Sequence, residues 1–244
     1  MQVLSRSFFP WIACAVIVYC GCAGERRQES GRGGPPGSDY AGKTLAVILP
    51  DSGSASLEDA PALGYALLDA FPGLTAENSR SVLAREFGNA FWSGFAPAVD
   101  YVTPIRVPDS VPPAPEGRRI GMTLPESHGL PAHAYSAPDS GWLAEHGVKA
   151  DLILAVGPLS ASNQQEEMHA YQFGGSITIN RLVLHGWYLI WDYSKGRAIT
   201  QGPFTTKLEY RGKLQGKDWV KAFDQAMGSV GDASPFRGPK WYRR

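Results

Sequence analysis

Between Val148 and Thr206 the apolar positions fall in a strand-like order, and the rest of the chain reads as cover for them. Leu152 to Gly157 is a short apolar run bounded by Asp151 and Gly157-Pro158, the pattern of a strand buried on both faces. Ser162 to Glu167, rich in Asn, Gln and Glu, reads as a loop. Ile177 and Ile179 then alternate with Thr178 and Asn180, as in a half-buried strand. The run continues to Tyr193 with both parities mostly apolar: Leu182, Leu184, Tyr188 and Ile190 on one face, Val183, Trp187, Leu189 and Trp191 on the other. That is a central strand covered on both sides, with Gly186 marking a bulge. Ser194-Lys195-Gly196 makes a tight turn, and Arg197 to Phe204 returns as the next strand.

Upstream, Lys43 to Pro50 is apolar on both parities and predicts the first strand, and Asp51 to Ser56 a Gly/Ser loop. Residues 57–73 are weakly helical, broken in pattern by Pro61 and Gly64. Ser79 to Gly94 is a stronger helix, with Leu83, Phe87, Phe91 and Phe95 recurring at fours and Ser79 or Asn78 as cap. Val99 to Val107 predicts another strand. Residues 108–138, dense in Pro, Gly and His, predict a long insertion without regular structure of its own. Asp139 or Ser140 caps a short helix, Gly141 to His146, stopped by Gly147. Near the end, Trp219, Ala222, Phe223, Ala226, Met227 and Val230 lie on one helical face, with Asp218 as N-cap.

These elements predict an α/β fold: a single domain, residues 43–231, with a mixed β-sheet of about five strands and helices packed on it. At 244 residues the chain is long enough for a real core. Lys+Arg and Asp+Glu balance at 23 each, so net charge gives no reason to expect a nucleic-acid partner. No apolar run is long enough for a transmembrane helix. The three cysteines, Cys14, Cys20 and Cys22, all precede the predicted domain, which therefore holds neither a disulfide nor a cysteine metal site.

The first residues change the picture most. Arg6 supplies a positive start, and Phe8 to Tyr19 is a short apolar stretch of signal-peptide length. It ends in Val18-Tyr19-Cys20-Gly21-Cys22, which resembles the lipobox of bacterial lipoproteins, with Tyr19 where the class usually has Leu, Val or Ile. The resemblance implies a signal peptide over 1–21 and diacylglycerol on Cys22 as the first mature residue, holding the protein on the lipid bilayer. By the sorting preference of enterobacterial lipoproteins, Ala23 rather than Asp implies the outer membrane, facing the periplasm. Residues 22–42 are then the lipidated cysteine and a flexible linker rich in Gly, Pro, Ser and charge, reaching about 25 Å.

Candidate chemistry is sparse. Asp51 to Ser56 matches neither a phosphate-binding loop nor a serine-nucleophile turn. Glu126, His128 and His133 in the insertion fit no metal-ligand spacing. Asp151, Glu166, Glu167 and Asp192 are the acids nearest the central strands, and a carboxylate pair among them could in principle cleave a glycoside. Strand entry for Asp151 and turn entry for Asp192 are the simpler readings. No catalytic residue, metal ligand or cofactor site is assigned. The tail over 232–244 carries Arg237, Lys240, Arg243 and Arg244 with Phe236, Trp241 and Tyr242. The simpler reading is a frayed, solvated terminus; the sharper one is contact with an anionic surface: lipid headgroups, cell-wall carboxylates or an acidic patch on a partner.

The order of the elements, with Ala-Val-Ile-Leu-Pro in the first strand, Ala150-Asp151 before the next and Trp-Asp-Tyr-Ser-Lys-Gly at the last turn, resembles a known layout. It is similar to the small α/β domain of the curli-secretion lipoprotein, the amino-terminal domain of TolB and lipoprotein activators of penicillin-binding proteins. The insertion at 108–138 and the segment at 158–175 depart from it. The resemblance implies a non-catalytic binding or assembly accessory of the cell envelope, with an unidentified envelope protein as partner. The alternative is an envelope hydrolase or glycan-binding protein using the 108–138 segment. A secretion-pore subunit would need a long amphipathic hairpin; only 158–193 has the length, and its polar part does not alternate cleanly.

Overall fold

Val47 and Leu45 point one way and Ala46 and Ile48 the other, and that double-sided apolar pattern sets the architecture. The computed structural model describes residues 37–58, 60–71, 79–123, 134–170 and 175–237. The strands are β1 (Lys43–Ile48), β2 (Ala55–Leu57), β3 (Val102–Arg106), β6 (Leu152–Ala170), β7 (Gly175–Asp192) and β8 (Arg197–Tyr210); β4 (Arg119–Thr123) and β5 (Ala134–Pro138) stand apart from them. The helices are α1 (Ala60–Ala70), α2 (Ser79–Phe95), α3 (Ser140–Glu145) and α4 (Gly216–Ala233). The main sheet is six-stranded, in the order β3-β1-β6-β7-β8 with β2 added beside β6. Its first members are parallel, β1 with β3 and with β6, while β6-β7-β8 is an antiparallel meander. The sheet is mixed and helix-covered, as the sequence predicts, with one strand more than expected.

Two apolar layers follow from the parity. On one face Leu45, Val47, Leu152, Leu154, Leu182, Leu184 and Ile190 pack against α2 and α4. The stripe at fours in α2 is buried throughout, and so is the predicted face of α4. The Phe87 ring lies 5.6 Å from Phe223 and 6.2 Å from Phe204, joining both helices to β8. On the opposite face a smaller cluster of Ala46, Ile153, Ala155 and Leu189 is covered by Ala137, Leu143 and Val148. The insertion therefore has structure: β4 and β5 form a two-stranded antiparallel sheet whose end leads into α3 and roofs this second face. Asp139 caps α3 by accepting from the Trp142 N–H at 2.6 Å. Arg118 forks between Asp139 and Glu145, and its guanidinium lies over the Trp142 ring. That ion pair holds the Asp139 carboxyl below its usual range.

Several boundaries differ from the sequence reading, each for a local reason. Asp51 and Ser54 exchange hydrogen bonds in a tight turn, and the chain then pairs as β2 instead of remaining a loop. The N-cap of α4 is Gln215, not Asp218. Asp218 sits at the third helical position and accepts from the Gln215 N–H at 2.9 Å in a capping box. The caps expected for α2 at Asn78 or Ser79 fall partly outside the described residues.

Gly186 is not the bulge. The irregularity lies across from it in β6, between Val156 and Leu159, at Gly157-Pro158, where proline has no N–H to give the ladder. Gly186 instead makes room for Phe204, since a Cβ at position 186 would sit 2.3 Å from that ring. Gly186→Ala is expected to cost about 1–3 kcal/mol in an unfolding titration, the scale of core overpacking. A neutral result would show that the Phe204 ring can move aside.

Candidate functional site

The largest departure from the sequence reading is the segment 162–170. Gln and Glu are poor strand formers, yet β6 continues through them because β7 pairs with it residue by residue, from Asn163 opposite Leu182 to Ala170 opposite Gly175. On its other side β6 meets β2 only from Leu159 to Ala161, and β8 follows β7 only as far as Asn180. Beyond those points the ribbon has no further strand beside it among the described residues. Gln164 to Glu167 and Thr178 are exposed. The result is a two-stranded arm, with Gln164 to Ala170 reaching about 20 Å from the body at ordinary strand rise.

The arm is rooted by polar contacts across three strands. Arg181 of β7 donates to Glu209 of β8 at 2.9 Å and to Glu166 of β6. The two carboxylates, Glu209 foremost, raise the guanidinium pKa. On the other face the Tyr210 hydroxyl donates to Asn163 Oδ1 at 2.9 Å. Pairing sorts the arm into two faces. Gln165, Glu167, Thr178 and Asn180 share the helix side, while Gln164, Glu166 and Ile179 share the insertion side. Exposed strand edges of this kind are ready templates for pairing.

The opposite end of the sheet is where the chain enters and leaves the body. Lys43 starts β1, Leu152 starts β6 and Asp192 ends β7 there, while the arm lies at the far end of β6. Tyr40 sets its ring edge on Phe236, centroids 5.3 Å apart and planes at 90°. The Gly42 N–H donates to Tyr101 O and the Asp100 N–H to Phe236 O, each at 2.9 Å, and Val99 bridges to Arg237. Gly37 has a φ of 94°, and a Cβ on it would fall 2.2 Å from Pro235 O, so entry and exit pass each other at a distance that requires glycine. The ammonium groups of Lys43 and Lys195 both lie 5.6 Å from the Tyr40 ring.

These contacts redraw both ends of the domain. Gly37 to Tyr40 belong to the body rather than to the linker, and so do Phe236, which is fully buried, and Arg237, which pairs with Asp232. Of the proposed surface contacts Arg237 is thus built into the fold. Lys240, Trp241, Tyr242, Arg243 and Arg244 lie outside the described residues, as do Cys22, Glu126, His128 and His133.

The acids near the central strands do not form one pair. Asp151 accepts from the Thr44 N–H at 2.9 Å and fastens β1 to the start of β6. Asp192 is buried in an ion pair with Lys43. Glu166 belongs to the root of the arm, and Glu167 is exposed on it, at the other end of β6. One polar group escaped the sequence reading: His185, whose Nδ1 lies 2.9 Å from the Thr205 hydroxyl, with Ser160 opposite it in register. Burial lowers the His185 pKa, against the Glu58 charge and with that of Lys207. Alternation could have found it, as a single polar residue between Val183 and Trp187. Among the described residues no cluster of His, Cys, Asp or Glu could hold a metal ion, and no helix is long and apolar enough to cross a membrane.

No family model and no curated protein matches the chain. Among solved structures it is similar to a protein described as a neuraminyllactose-binding hemagglutinin homolog from Helicobacter pylori, with a TM-score of 0.40 and 10% identity over 88% of this chain and 90% of that one. It is also similar to the hypothetical protein CT253 from Chlamydia trachomatis, with a TM-score of 0.37 and 10% identity over 78% of this chain and 97% of that one. Likenesses at this level carry no functional argument.

Proposed function

We propose that the protein is an envelope lipoprotein, anchored through Cys22 and facing the periplasm from the outer membrane, that acts as a non-catalytic binding or assembly accessory. The observation that carries the binding role is the β6-β7 arm, which holds two open strand edges and exposed polar side chains out from a well-packed body. The acids weighed for catalysis support the same reading, because Asp151, Asp192 and Glu166 are engaged in holding strands together.

The test has two parts. Cys22→Ser is expected to block processing and to remove the protein from the detergent-extracted membrane fraction; unchanged maturation and location would overturn the address. A photo-crosslinking residue at Thr178, on the arm, is expected to give a discrete heavier adduct in intact cells, while one at the exposed Lys221 of α4 gives none. Adducts at Lys221 and none at Thr178 would move the contact surface off the arm.

A further inference from the structure

The main sheet ends on β8, and the outer edge of that strand is open. No strand lies beside it among the described residues, and Pro203, Thr205, Lys207 and Glu209 are exposed along it. The hydrogen bonds at β2 fix which residues turn their backbone to that edge. The Leu159 N–H donates to Ser54 O at 2.9 Å and the Glu58 N–H to Ala161 O at 2.8 Å, so the odd-numbered residues of this part of β6 face β2. Successive residues of a strand present their N–H and C=O to opposite sides. Ser160, Ser162 and Gln164 therefore face β7, where they stand opposite His185, Val183 and Arg181. Leu182, Leu184 and Gly186 then face β8, opposite Leu208, Thr206 and Phe204. That leaves Thr205, Lys207 and Glu209 with their backbone groups turned outward. Pro203 belongs to the same row and has no N–H to offer. At the other end Gly212, with a φ of 69°, turns the chain off the edge. The usable edge runs from Thr205 to Glu209.

We infer that this edge pairs with the same edge of a second copy of the chain, antiparallel about a two-fold axis at Leu208, to make one continuous sheet. Charge selects the register. In a two-fold strand pair, outward residues oppose outward residues. An axis at Lys207 would set lysine on lysine, and one at Glu209 would set glutamate on glutamate. An axis at Thr205 or Thr206 would place Pro203, without its N–H, opposite Lys207 or Glu209. The axis at Leu208 puts Lys207 opposite Glu209 of the second copy, and Glu209 opposite its Lys207. Each such pair exchanges both backbone N–H···O bonds and carries its two charges on the same face of the sheet. Glu209 is equipped for this although Arg181 already holds it. Both Arg181 bonds go to Oε1, so Oε2 can take the incoming ammonium. Proline and lysine are common guards of an exposed edge against unplanned pairing. Here Pro203 and Lys207 exclude the neighbouring registers and leave one that is complementary. The shared edge is short, so the dimer is a weak one.

The experiment is sedimentation equilibrium of the full mature chain with Cys22→Ser, so that acylation plays no part, carried into the high micromolar range at low salt. The parent is expected to show a monomer–dimer equilibrium that weakens as salt is raised. Lys207→Glu and Glu209→Lys each turn both cross-strand pairs from attraction to repulsion, and each is expected to weaken the dimer by about tenfold or more. An equimolar mixture of the two variants restores the complementarity and is expected to associate at least as tightly as the parent. Glu209→Lys also removes a partner of Arg181, so urea midpoints are measured for every variant. Lys207→Glu, on an exposed side chain that is not a partner of Arg181, carries the test by itself if Glu209→Lys weakens the fold. A parent that stays monomeric throughout would overturn the inference. So would a Lys207→Glu variant that dimerises as tightly as the parent, which would place the contact on another surface, or a mixture no tighter than its separate components.

Discussion

Phe223→Ala is expected to destabilise the body by about 3–5 kcal/mol, the scale for truncating a fully buried Phe. The ring is 1% exposed and sits at the junction of three elements. It meets Phe87 of α2 edge-on at 5.6 Å and Trp219 of its own helix at 5.9 Å, while Phe87 stacks on Phe204 of β8. These neighbours are large, flat and themselves buried, so they cannot collapse into the space left by a benzyl group, and the cavity cost adds to the lost transfer energy. On the same helix Val220 is 46% exposed, and Val220→Ala is expected to stay within about 0.5 kcal/mol. Urea titrations of the two variants and the parent decide the matter. A cost below about 1 kcal/mol at position 223 would mean that α4 does not close the helix face of the sheet.

That contrast also shows what was legible in the sequence. The face of α4 and the aromatic stripe of α2 were readable because a helix writes its buried side into its own periodicity, every third and fourth residue. The central strands were readable because both parities of Leu152 to Val156 and, His185 and Gly186 apart, of Val183 to Ile190 are apolar, the pattern of a sheet covered on two sides. The arm was not. Ser162 to Glu167 has no strand signal in itself; it is a strand because β7 lies beside it, and pairing is a property of two segments rather than of one. The same limit hid β2, three residues long, and the β4-β5 pair within a Pro-rich stretch.

The chain ends were misjudged for another reason. Phe236 follows a Ser-Pro break after α4, where composition says tail, and Gly37 to Tyr40 sit in a stretch whose Gly and Pro content says linker. Their contacts are with each other and with Val99 to Tyr101, far away in sequence. Composition measures the average character of a window, and a single buried ring decides otherwise. For the acids near the sheet the simpler readings hold: Asp151 marks the entry to β6 and Asp192 the entry to the β7-β8 turn, and geometry spreads these carboxylates and Glu166 from one end of β6 to the other.

Asp192→Ala is expected to cost about 2–4 kcal/mol at neutral pH, somewhat under the usual penalty for breaking a buried ion pair because Lys43 keeps partial access to water. The Asp192 side chain is fully buried. It accepts from the Ser194 hydroxyl at 2.6 Å, from the N–H groups of Ser194 and Lys195 at 2.9 and 3.2 Å, and from Lys43 Nζ at 3.1 Å. It therefore holds the β7-β8 turn and the start of β1 together, at the pole where the chain ends meet. Removing it strands two turn amides and the Lys43 charge at once. Burial by itself would push its carboxyl pKa up, but the hydrogen bonds from Ser194 and Lys43 outweigh that and the pKa is lowered. A carboxylate with a depressed folded-state pKa contributes its full stability above the unfolded value, about 3.9, and loses it as the pH falls through the folded one. The gap between parent and variant should accordingly stay constant from pH 7 down to about pH 5 and narrow below about pH 4. Denaturation midpoints measured across that range test the sign as well as the size. A gap that persists undiminished at pH 3 would mean that the shape of the turn, and not the charge of Asp192, is what the site supplies.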